Sequence, residues 1–345
     1  MIFAIESAID ELARELEIDP VEFRRRNVVC PGDPIRTLED HAPEDIAYSG
    51  EHGAGQVLDL VAASLAASSD EAPEGFLLGE GTALAMIATI PPRGHRADAV
   101  VRRLGDGFFE VEVGTAEFGN GSTTVHAQLA ADALGVGVDR IRIRQSDTDV
   151  AGHDTGAYGS TGVVVAGKAV YAAAQALAAD PALGEARGHS DGSHRSVAFN
   201  AHGFRVAVNP ATGEVRILHS VQAADAGVVM NPEQLRGQIE GGTAQAIGSA
   251  LYEEVVVENG VVTTASFRNY RVPKISDIPV TEVLFADTHD PRGPLGAKSM
   301  SEAPYNPVAP ALANAIRDAL GVRPHSLPMT RDRVWRLSGS SRAEG

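Results

Sequence analysis

The chain has few of the residues that cross-link small proteins or bind metal clusters. Its 345 residues include one cysteine, Cys30, and aromatic residues make up 5% of the total. A single cysteine excludes an intrachain disulfide framework and any iron–sulfur cluster held by cysteines of this chain. The 11 histidines are scattered, and neither the His-Glu-x-x-His pattern nor a Cys/His zinc pattern occurs. We therefore predict no metal ligand in the chain.

Basic residues are also scarce. There are 29 Lys and Arg against 46 Asp and Glu, so the formal net charge is −17. The densest basic run, Arg24–Arg26, is short, and nucleic-acid binding needs a dense basic surface, so we expect no nucleic-acid partner. No apolar run reaches the roughly 18 residues of a membrane span, and no basic-then-apolar leader opens the chain. We expect a cytoplasmic protein without a membrane span.

Glycine and proline are abundant, with 36 and 19 copies, and they separate many short elements. Apolar periodicity predicts helices at 2–16, 20–27, 56–67, 122–134, 164–178, 232–249 and 307–320. Alternating patterns predict strands at 76–90, 97–103, 108–114, 141–143, 202–209, 214–223, 251–257, 260–264 and 279–286. Hairpins interspersed with helices indicate an α+β fold, in which mixed sheets pack with helices.

The length suits two packed domains or one large one. We predict that residues 1–74 are the end of a first domain with an acidic linker, that 75–337 form a second domain, and that 338–345 are a disordered tail. Residues 180–195 are predicted to be a polar loop. The first helix begins without a cap, which suggests that a preceding part of the architecture lies on another chain or has been lost.

Two glycine-rich segments precede predicted helices. One is Gly119-Asn120-Gly121-Ser122-Thr123-Thr124, and the other is 154–162, which contains Tyr158-Gly159-Ser160-Thr161. Glycines at such a junction let backbone N–H groups approach an anion, and the helix N-terminus adds positive potential. The alternative for each loop is a tight turn that caps the following helix, and the spacing of the glycines alone does not exclude it. Two such loops together favour a large, phosphate-bearing ligand.

A third segment, 296–304, holds Lys298 and Glu302 among small residues and prolines. Glu302 is a candidate general base, against the alternative of a solvated surface carboxylate. Lys298 is expected to bind an anion or to pair with Glu302. A fourth segment, 222–242, places Gln238 on a helix, where it is a candidate ligand-facing residue or simply structural.

A serine hydrolase is a weaker alternative. Gly188-His189-Ser190-Asp191-Gly192 matches the Gly-x-Ser-x-Gly pattern by letter. A nucleophile elbow needs a strand before the serine and a helix after it, and the sequence predicts neither.

The order of these motifs resembles one family, the molybdenum hydroxylases, which include xanthine dehydrogenase, aldehyde oxidase and the carbon monoxide dehydrogenase large subunit. The motifs are Gly119-Asn120-Gly121, Ser146-Asp147-Thr148-Asp149, Tyr158-Gly159-Ser160, Val165-Ala166-Gly167, Asp225-x-Gly227 with Asn231-Pro232, Gly296-Ala297-Lys298 with Glu302-Ala303-Pro304, and the run 309–316. The resemblance extends over residues 4–336 and covers the back half of the large subunit, so 1–74 would close a first molybdopterin-binding domain and 75–337 would form the second.

The resemblance implies a cofactor, molybdopterin or molybdopterin cytosine dinucleotide with molybdenum. It implies that Glu302 is the base in the oxidation of an aldehyde or N-heterocycle, with water as the oxygen source. The cofactor-binding residues it implies are Gly119, Asn120, Gly121, Ser122, Tyr158, Gly159, Ser160, Thr161, Gln238 and Lys298. Because the family's molybdenum takes no protein ligand, the lack of a ligand cluster is compatible with it. Iron–sulfur and FAD centres would lie on partner subunits, and the front half of the large subunit on another chain.

The sequence departs from the family pattern at two points beside the expected site. Asn120 stands where the family usually has glutamine, so its amide reaches one methylene less far. Ser299-Met300-Ser301 stands where the family usually has Gly-x-Gly before the glutamate. The front half of the family's large subunit is absent from this sequence. A truncated remnant, or a cofactor-binding module without turnover, is therefore the alternative hypothesis.

Overall fold

The computed structural model describes residues 1–30, 33, 51–89, 95–156, 159–160, 162–192 and 196–341. The helices in this part are α1 (Ile2–Glu15), α2 (Pro20–Asn27), α3 (Ala54–Ala67), α4 (Ser122–Leu134), α5 (Lys168–Ala179), α6 (Pro232–Leu251), α7 (Val308–Leu320) and α8 (Arg331–Ser341). The strands are β1 (Leu77–Thr89), β2 (Ala97–Arg103), β3 (Phe109–Val113), β4 (Ile141–Gln145), β5 (Glu185–Ser190), β6 (Ser196–Asn209), β7 (Glu214–Ala224), β8 (Val257–Glu258), β9 (Val261–Val262) and β10 (Glu282–Phe285).

The larger core surrounds a mixed sheet with the strand order β1-β6-β7-β10. β1, β6 and β7 are antiparallel, and β10 runs parallel to the end of β7. One face packs against α6 and α7 through Phe204, Ile247 and Leu312, and the other packs against α3 through Val57 and Phe199. These helices bury the sheet on both sides, and the end of β7 leads directly into the site described below.

A second sheet has the order β4-β3-β2-β5 and packs against α4 and α5. A π-helical segment, Gly162–Gly167, runs directly into α5. Gly121 and Gly135, which flank α4, have φ angles of 80° and 66°, a left-handed conformation that glycine adopts without a steric penalty. The predicted helix at 122–134 is confirmed with these bounds.

The predicted polar loop at 180–195 is wrong in part, because it contains strand β5. β5 pairs antiparallel with β2 and alternates exposed residues with buried Ala186, Gly188 and Ser190. A Cβ at Gly188 would lie 2.0 Å from the Ala169 carbonyl oxygen, so the strand needs a residue without a side chain where it crosses α5. Small residues carry little hydrophobic signal, which explains the missed strand.

The same finding bears on the hydrolase hypothesis. A strand does precede Ser190, contrary to the sequence prediction, but the described residues 191–192 are not helical and β6 begins at Ser196. Ser190 is also buried, with 6% of its surface exposed. The geometry of a nucleophile elbow is therefore not found in the described part of this segment.

Three further predictions need correction. α6 continues through buried Leu251, so the strand predicted at 251–257 is reduced to β8. β6 begins six residues before the predicted 202. The tail predicted at 338–345 is helical as far as Ser341, and Ser338 donates a hydrogen bond to the Pro210 carbonyl at 2.8 Å; residues 342–345 lie outside the described residues. The domain boundary at residue 75 stays a prediction.

Candidate functional site

Four separate parts of the chain enclose a cavity of about 310 Å³. These parts are the loop before α4 with the start of that helix, the segment from Ser160 into the π-helical turn, the segment 226–238 that runs from the end of β7 into α6, and the segment 297–302. Of the site residues predicted from the sequence, Asn120, Ser122, Ser160, Gln238, Lys298 and Glu302 line it. The structure thus brings together residues that are up to 182 positions apart, in a cavity of a size typical for a small-molecule site.

The loop before α4 does not offer its backbone N–H groups to an external anion. The carboxylate of Glu117 accepts hydrogen bonds from the N–H groups of Gly119 at 2.7 Å, Gly121 at 3.1 Å and Thr123 at 3.0 Å. These are the donors that the sequence assigned to a cofactor phosphate. In this structure a side chain of the same loop occupies these N–H groups, and the assignment of Gly119 and Gly121 to the cofactor stays a prediction.

The pKa of Glu117 reflects this arrangement. Partial burial acts to raise the pKa, but the backbone hydrogen bonds from Thr123, Gly119 and Gly121 favour the charged form and together lower it to about 2. The carboxylate therefore remains ionised at neutral pH and acts as a built-in anion at the N-terminus of α4.

The amide of Asn120 lies on the cavity wall, and its Oδ1 accepts a 3.3 Å hydrogen bond from the Ser122 N–H. Gly121 lies against α6. A Cβ at this position would meet only the flexible end of the Gln234 side chain, so the left-handed φ angle, rather than the packing, favours glycine here. The Gln234 amide donates to Thr124 Oγ1 at 3.2 Å and thereby ties α6 to α4.

One amide residue on this wall, Gln234, was not singled out from the sequence, and a second, Asn231, was named only within the Asn231-Pro232 motif. Gln234 and Asn231 both line the cavity, and Asn231 caps α6 by accepting a hydrogen bond from the Gln234 N–H at 3.1 Å. Gln234 and Gln238 are four residues apart on α6 and therefore share one helix face. That spacing is the sequence signal that would have indicated Gln234.

The second glycine-rich loop reaches the cavity through Ser160. Gly159 and Ser160 both adopt left-handed conformations, with φ angles of 61° and 58°. The Ser299 hydroxyl donates to the Ser160 carbonyl and, at 3.4 Å, to the Gly159 carbonyl. Tyr158 and Thr161, also predicted to contact the cofactor, lie outside the described residues.

Glu302 lies at the cavity mouth, immediately before a short 3₁₀ turn, Ala303–Tyr305. Its Oε2 accepts a hydrogen bond from Ser160 Oγ at 3.1 Å, and its backbone N–H donates to the same oxygen at 3.1 Å. A hydrogen bond from the end of β7 also holds this turn, because Gln222 Nε2 donates to the Pro304 carbonyl at 2.7 Å. The carboxylate is thus exposed to the cavity but held in place.

Lys298 does not pair with Glu302, contrary to the expectation from the sequence. Its ammonium lies 2.9 Å from Asp225 Oδ2 and donates to the Glu51 carbonyl at 2.6 Å. The side chains of Lys298 and Asp225 are 1% and 0% exposed, so this is a buried ion pair. The ammonium is engaged in the interior, which argues against its predicted role as an anion ligand in the cavity.

Asp225 is the centre of a small buried network. It accepts hydrogen bonds from the Gly53 N–H at 2.9 Å and from Thr288 Oγ1 at 2.6 Å, besides the Lys298 ammonium. Next to it, Gly227 has a φ angle of 62° and packs against the Gly296 carbonyl, which a Cβ would approach to 2.3 Å. This network fixes the segment that carries Glu302 to the end of β7.

Among the described residues, no group of three or more His, Cys, Asp or Glu side chains is placed to hold a metal ion. One stretch, Gly162–Ala179, is long and apolar enough to cross a membrane, but half of it is buried inside the fold. It comprises the π-helical segment and α5, which pack on the second sheet as core elements.

Comparisons with known proteins place these features in a family. The sequence profile of the molybdopterin cofactor-binding domain matches residues 59–186 and 183–279. The chain is 32% identical over 372 residues to the probable hypoxanthine oxidase XdhD of Escherichia coli K12, covering 93% of this chain and 39% of the relative. It is 30% identical to the aldehyde oxidoreductase molybdenum-binding subunit PaoC of the same strain, covering 96% and 50%.

Solved structures agree on the fold. Quinoline 2-oxidoreductase from Pseudomonas putida 86 superposes with a TM-score of 0.82 at 26% identity, over 98% of this chain and 52% of that one. Aldehyde oxidoreductase from Desulfovibrio gigas gives 0.83 at 24% identity, over 98% and 40%, which confirms the predicted α+β class. The chain thus spans about half the length of the proteins it matches.

Proposed function

Because the chain belongs to the molybdopterin cofactor-binding domain family, alongside the molybdenum-binding subunits of xanthine dehydrogenases and aldehyde oxidoreductases, we propose that it is the back half of a molybdenum hydroxylase large subunit. In this role it takes part in oxidising an aldehyde or an N-heterocycle, with water as the oxygen source. The observation that carries the proposal is the convergence of Glu302, Ser160, Asn120 and Gln238 on one cavity.

The residues of the cavity fit the pterin part of the cofactor. A pterin is a neutral heterocycle rich in hydrogen-bond donors and acceptors, and amides and hydroxyls of Asn120, Ser122, Gln234 and Gln238 surround the cavity. The Gln234 Oε1 atom is buried and has no hydrogen-bond partner among the described residues, so it is an acceptor available to such a group. The bound molybdenum cofactor supplies the two-electron redox chemistry of the reaction.

The cofactor's phosphates need a different place from the one the sequence suggested. The N–H groups of Gly119 and Gly121 already bind Glu117, and the Lys298 ammonium binds Asp225. Placing a phosphate beside Glu117 would bring two negative charges together. We propose that Asn120 and Ser122 contact the uncharged part of the cofactor.

Glu302 is proposed as the general base. A base must face the cavity, be ionised and remain within reach of the proton it accepts. Glu302 meets the first requirement, since it lies exposed at the cavity mouth while its backbone is fixed by the Ser160 hydroxyl and the Gln222–Pro304 contact. Only one carboxylate oxygen, Oε2, bonds Ser160, and in this proposal Oε1 is the atom that accepts the proton.

The proposal requires partners. With one cysteine, the chain cannot supply the ligands of an iron–sulfur cluster, so electrons must leave through iron–sulfur and FAD subunits. The front half of the large subunit, expected on another chain, would close the cofactor site. We place the assembled protein in the cytoplasm, as the composition led us to expect.

Elemental analysis tests the proposal first. The chain is purified under gentle conditions from its own host, the co-purifying proteins are identified, and molybdenum is measured per chain. We expect molybdenum together with a front-half partner and with iron–sulfur or flavin subunits. An isolated chain without molybdenum would contradict the proposal and support the remnant hypothesis.

Glu302→Gln then tests the base. In the assembled protein it should leave the molybdenum content unchanged and reduce turnover of the aldehyde or heterocycle by about 10²- to 10⁴-fold, the usual contribution of general base catalysis. Glu240→Gln is the control, since Glu240 lies on α6 and pairs with Arg236 at the surface. Retained turnover in Glu302→Gln would remove Glu302 as the base.

A further inference from the structure

The contact between Ser160 and Glu302 has an unusual form. One hydroxyl oxygen, Ser160 Oγ, accepts a hydrogen bond from the Glu302 backbone N–H at 3.1 Å and donates one to the Glu302 carboxylate at 3.1 Å. Among the described residues, Ser160 is the hydrogen-bond partner of this carboxylate. The pair of bonds fixes the side chain at both ends, since it restrains the carboxylate relative to its own backbone.

Ser160 makes this contact from a backbone conformation that serine adopts rarely. Its φ angle of 58° lies in the left-handed region, where a Cβ is crowded by the neighbouring carbonyl. Such a residue persists only when its surroundings hold it there, and left-handed residues of this kind cluster at functional sites. The Ser160 side chain is therefore directed at Glu302 against the local preference of the chain.

Ser299 supplies the surroundings that hold it. Its hydroxyl donates to the carbonyl groups of both Gly159 and Ser160, and the residue is 1% exposed. Ser299 lies in the segment that carries Glu302, three residues before it. The two segments are thus joined twice, through Ser299 to the Ser160 carbonyl and through Ser160 Oγ to Glu302. A glycine at 299 would lack the first of these connections.

We propose that Ser160 is a positioning residue for Glu302, and that Ser299 holds Ser160 in the left-handed conformation this requires. The proposal rests on the proposed function, since it assumes that Glu302 is the base. In this proposal, Ser160 Oγ donates a hydrogen bond to Glu302 Oε2 and thereby fixes the carboxylate. Oε1 of Glu302 then faces the proton to be removed. A base displaced by about 1 Å is expected to lose roughly 100-fold in rate.

The first test needs no substrate. Crystal structures of the purified wild type and of Ser160→Gly would show whether the Glu302 carboxylate depends on the hydroxyl. We expect a single Glu302 conformer, bonded to Ser160 Oγ, in the wild type and a displaced or disordered carboxylate in the variant. A wild-type carboxylate that makes no contact with Ser160, or an unchanged carboxylate in Ser160→Gly, would overturn the proposal.

The second test uses turnover by the assembled protein, with molybdenum content measured for each variant. Glycine at position 160 removes the hydroxyl but favours the left-handed backbone. The variant therefore tests the hydroxyl contact to Glu302 without disturbing the backbone conformation. We expect Ser160→Gly to lower kcat by about 10- to 100-fold with little change in KM or molybdenum content. Ser299→Ala should have a smaller effect in the same direction. Unchanged kcat in Ser160→Gly contradicts the proposal.

Ser146→Gly is the matched control, because Ser146 also has a φ angle of 58° but does not line the cavity. Its kcat should equal that of the wild type.

A double variant then separates failure of this proposal from failure of the proposed function. If Glu302→Gln abolishes most turnover, adding Ser160→Gly to it should cause no further loss. If Ser160→Gly lowers kcat by the same factor in the Glu302→Gln background as in the wild type, Ser160 acts independently of Glu302. Full activity in Glu302→Gln would instead reject Glu302 as the base.

Discussion

At the scale of single residues, His126 shows how burial determines chemistry. It lies in α4, fully buried, and neither ring nitrogen has a hydrogen-bond partner among the described residues. Burial lowers the pKa of His126 to about 4, although the negative charge of Glu117 acts to raise it. The ring is therefore neutral in the folded protein at pH values where a histidine of the unfolded chain is already protonated.

This difference predicts a pH dependence of stability. The folded pKa is lower than the unfolded value of 6.5, so the unfolded state binds more protons between pH 6.5 and pH 4. Stability should therefore fall as the pH is lowered through this range, by about 3 kcal/mol at pH 4 from this residue. His126→Leu should remove that part of the loss, as measured by urea unfolding at pH 7, 5.5 and 4.5. His325→Leu, at an exposed position, serves as the control, and an unchanged pH dependence in His126→Leu would contradict the assignment.

At the scale of elements, the end of β7 is joined to the segment carrying Glu302. Asp225 and Lys298 form the buried ion pair of this junction, and hydrogen bonds connect the Lys298 N–H to Ala226 at 2.9 Å and the Val228 N–H to Gly296 at 2.9 Å. α3 is attached to the same point through the Gly53 N–H. The position of Glu302, the candidate base, thus depends on contacts between elements that are distant in sequence.

Breaking this ion pair should destabilise the whole chain. Lys298→Met leaves the Asp225 carboxylate buried and without its cation, which costs about 3–5 kcal/mol in comparable cases. We expect a large fall in Tm in thermal unfolding. Arg336→Met, which removes one partner of an exposed pair with 71% and 59% of its side chains accessible, should change Tm little. Adding Asp225→Asn to Lys298→Met should restore part of the loss, and a Tm equal to the wild type in Lys298→Met would contradict a structural role.

At the scale of the whole molecule, the segment 253–280 stands out by its exposed apolar side chains. Ile275 is 97% exposed, Val280 94% and Phe267 84%, and the strands β8 and β9 add further exposed valines. Several large apolar side chains exposed within one segment favour an interaction site or an aggregation liability. In the complex proposed above, this surface is expected to be covered.

The isolated chain should therefore associate through this segment. Replacing Phe267 and Ile275 together by serine is expected to reduce concentration-dependent self-association, measured by sedimentation velocity. Val138→Ser is the control, since Val138 is 51% exposed but lies next to β4, away from this segment. Identical sedimentation of the double variant and the wild type would contradict the assignment of this surface.

Local sequence determined much of the fold. α4 begins and ends where the apolar spacing and Gly121 and Gly135 predict, and α7 ends at Gly321 as expected, because glycine adopts the left-handed φ angle that terminates a helix. The α+β class followed from the alternation of hairpins and helices. The local pattern around Glu302 left a base and a surface carboxylate as alternatives, and the resemblance to the family favoured the base, since an isolated glutamate carries no local signal of its function.

Only the tertiary structure decided which groups meet. Lys298 binds Asp225, 73 residues away, and the carboxylate of Glu117 occupies the N–H groups that the sequence assigned to a phosphate. β5 was missed because its inward residues are small, and its pairing with β2 depends on the packing of α5. The physical reason is common to these cases. Periodicity and capping report interactions within a few residues, whereas charge pairing, burial and cavity formation depend on segments that fold together from distant parts of the chain.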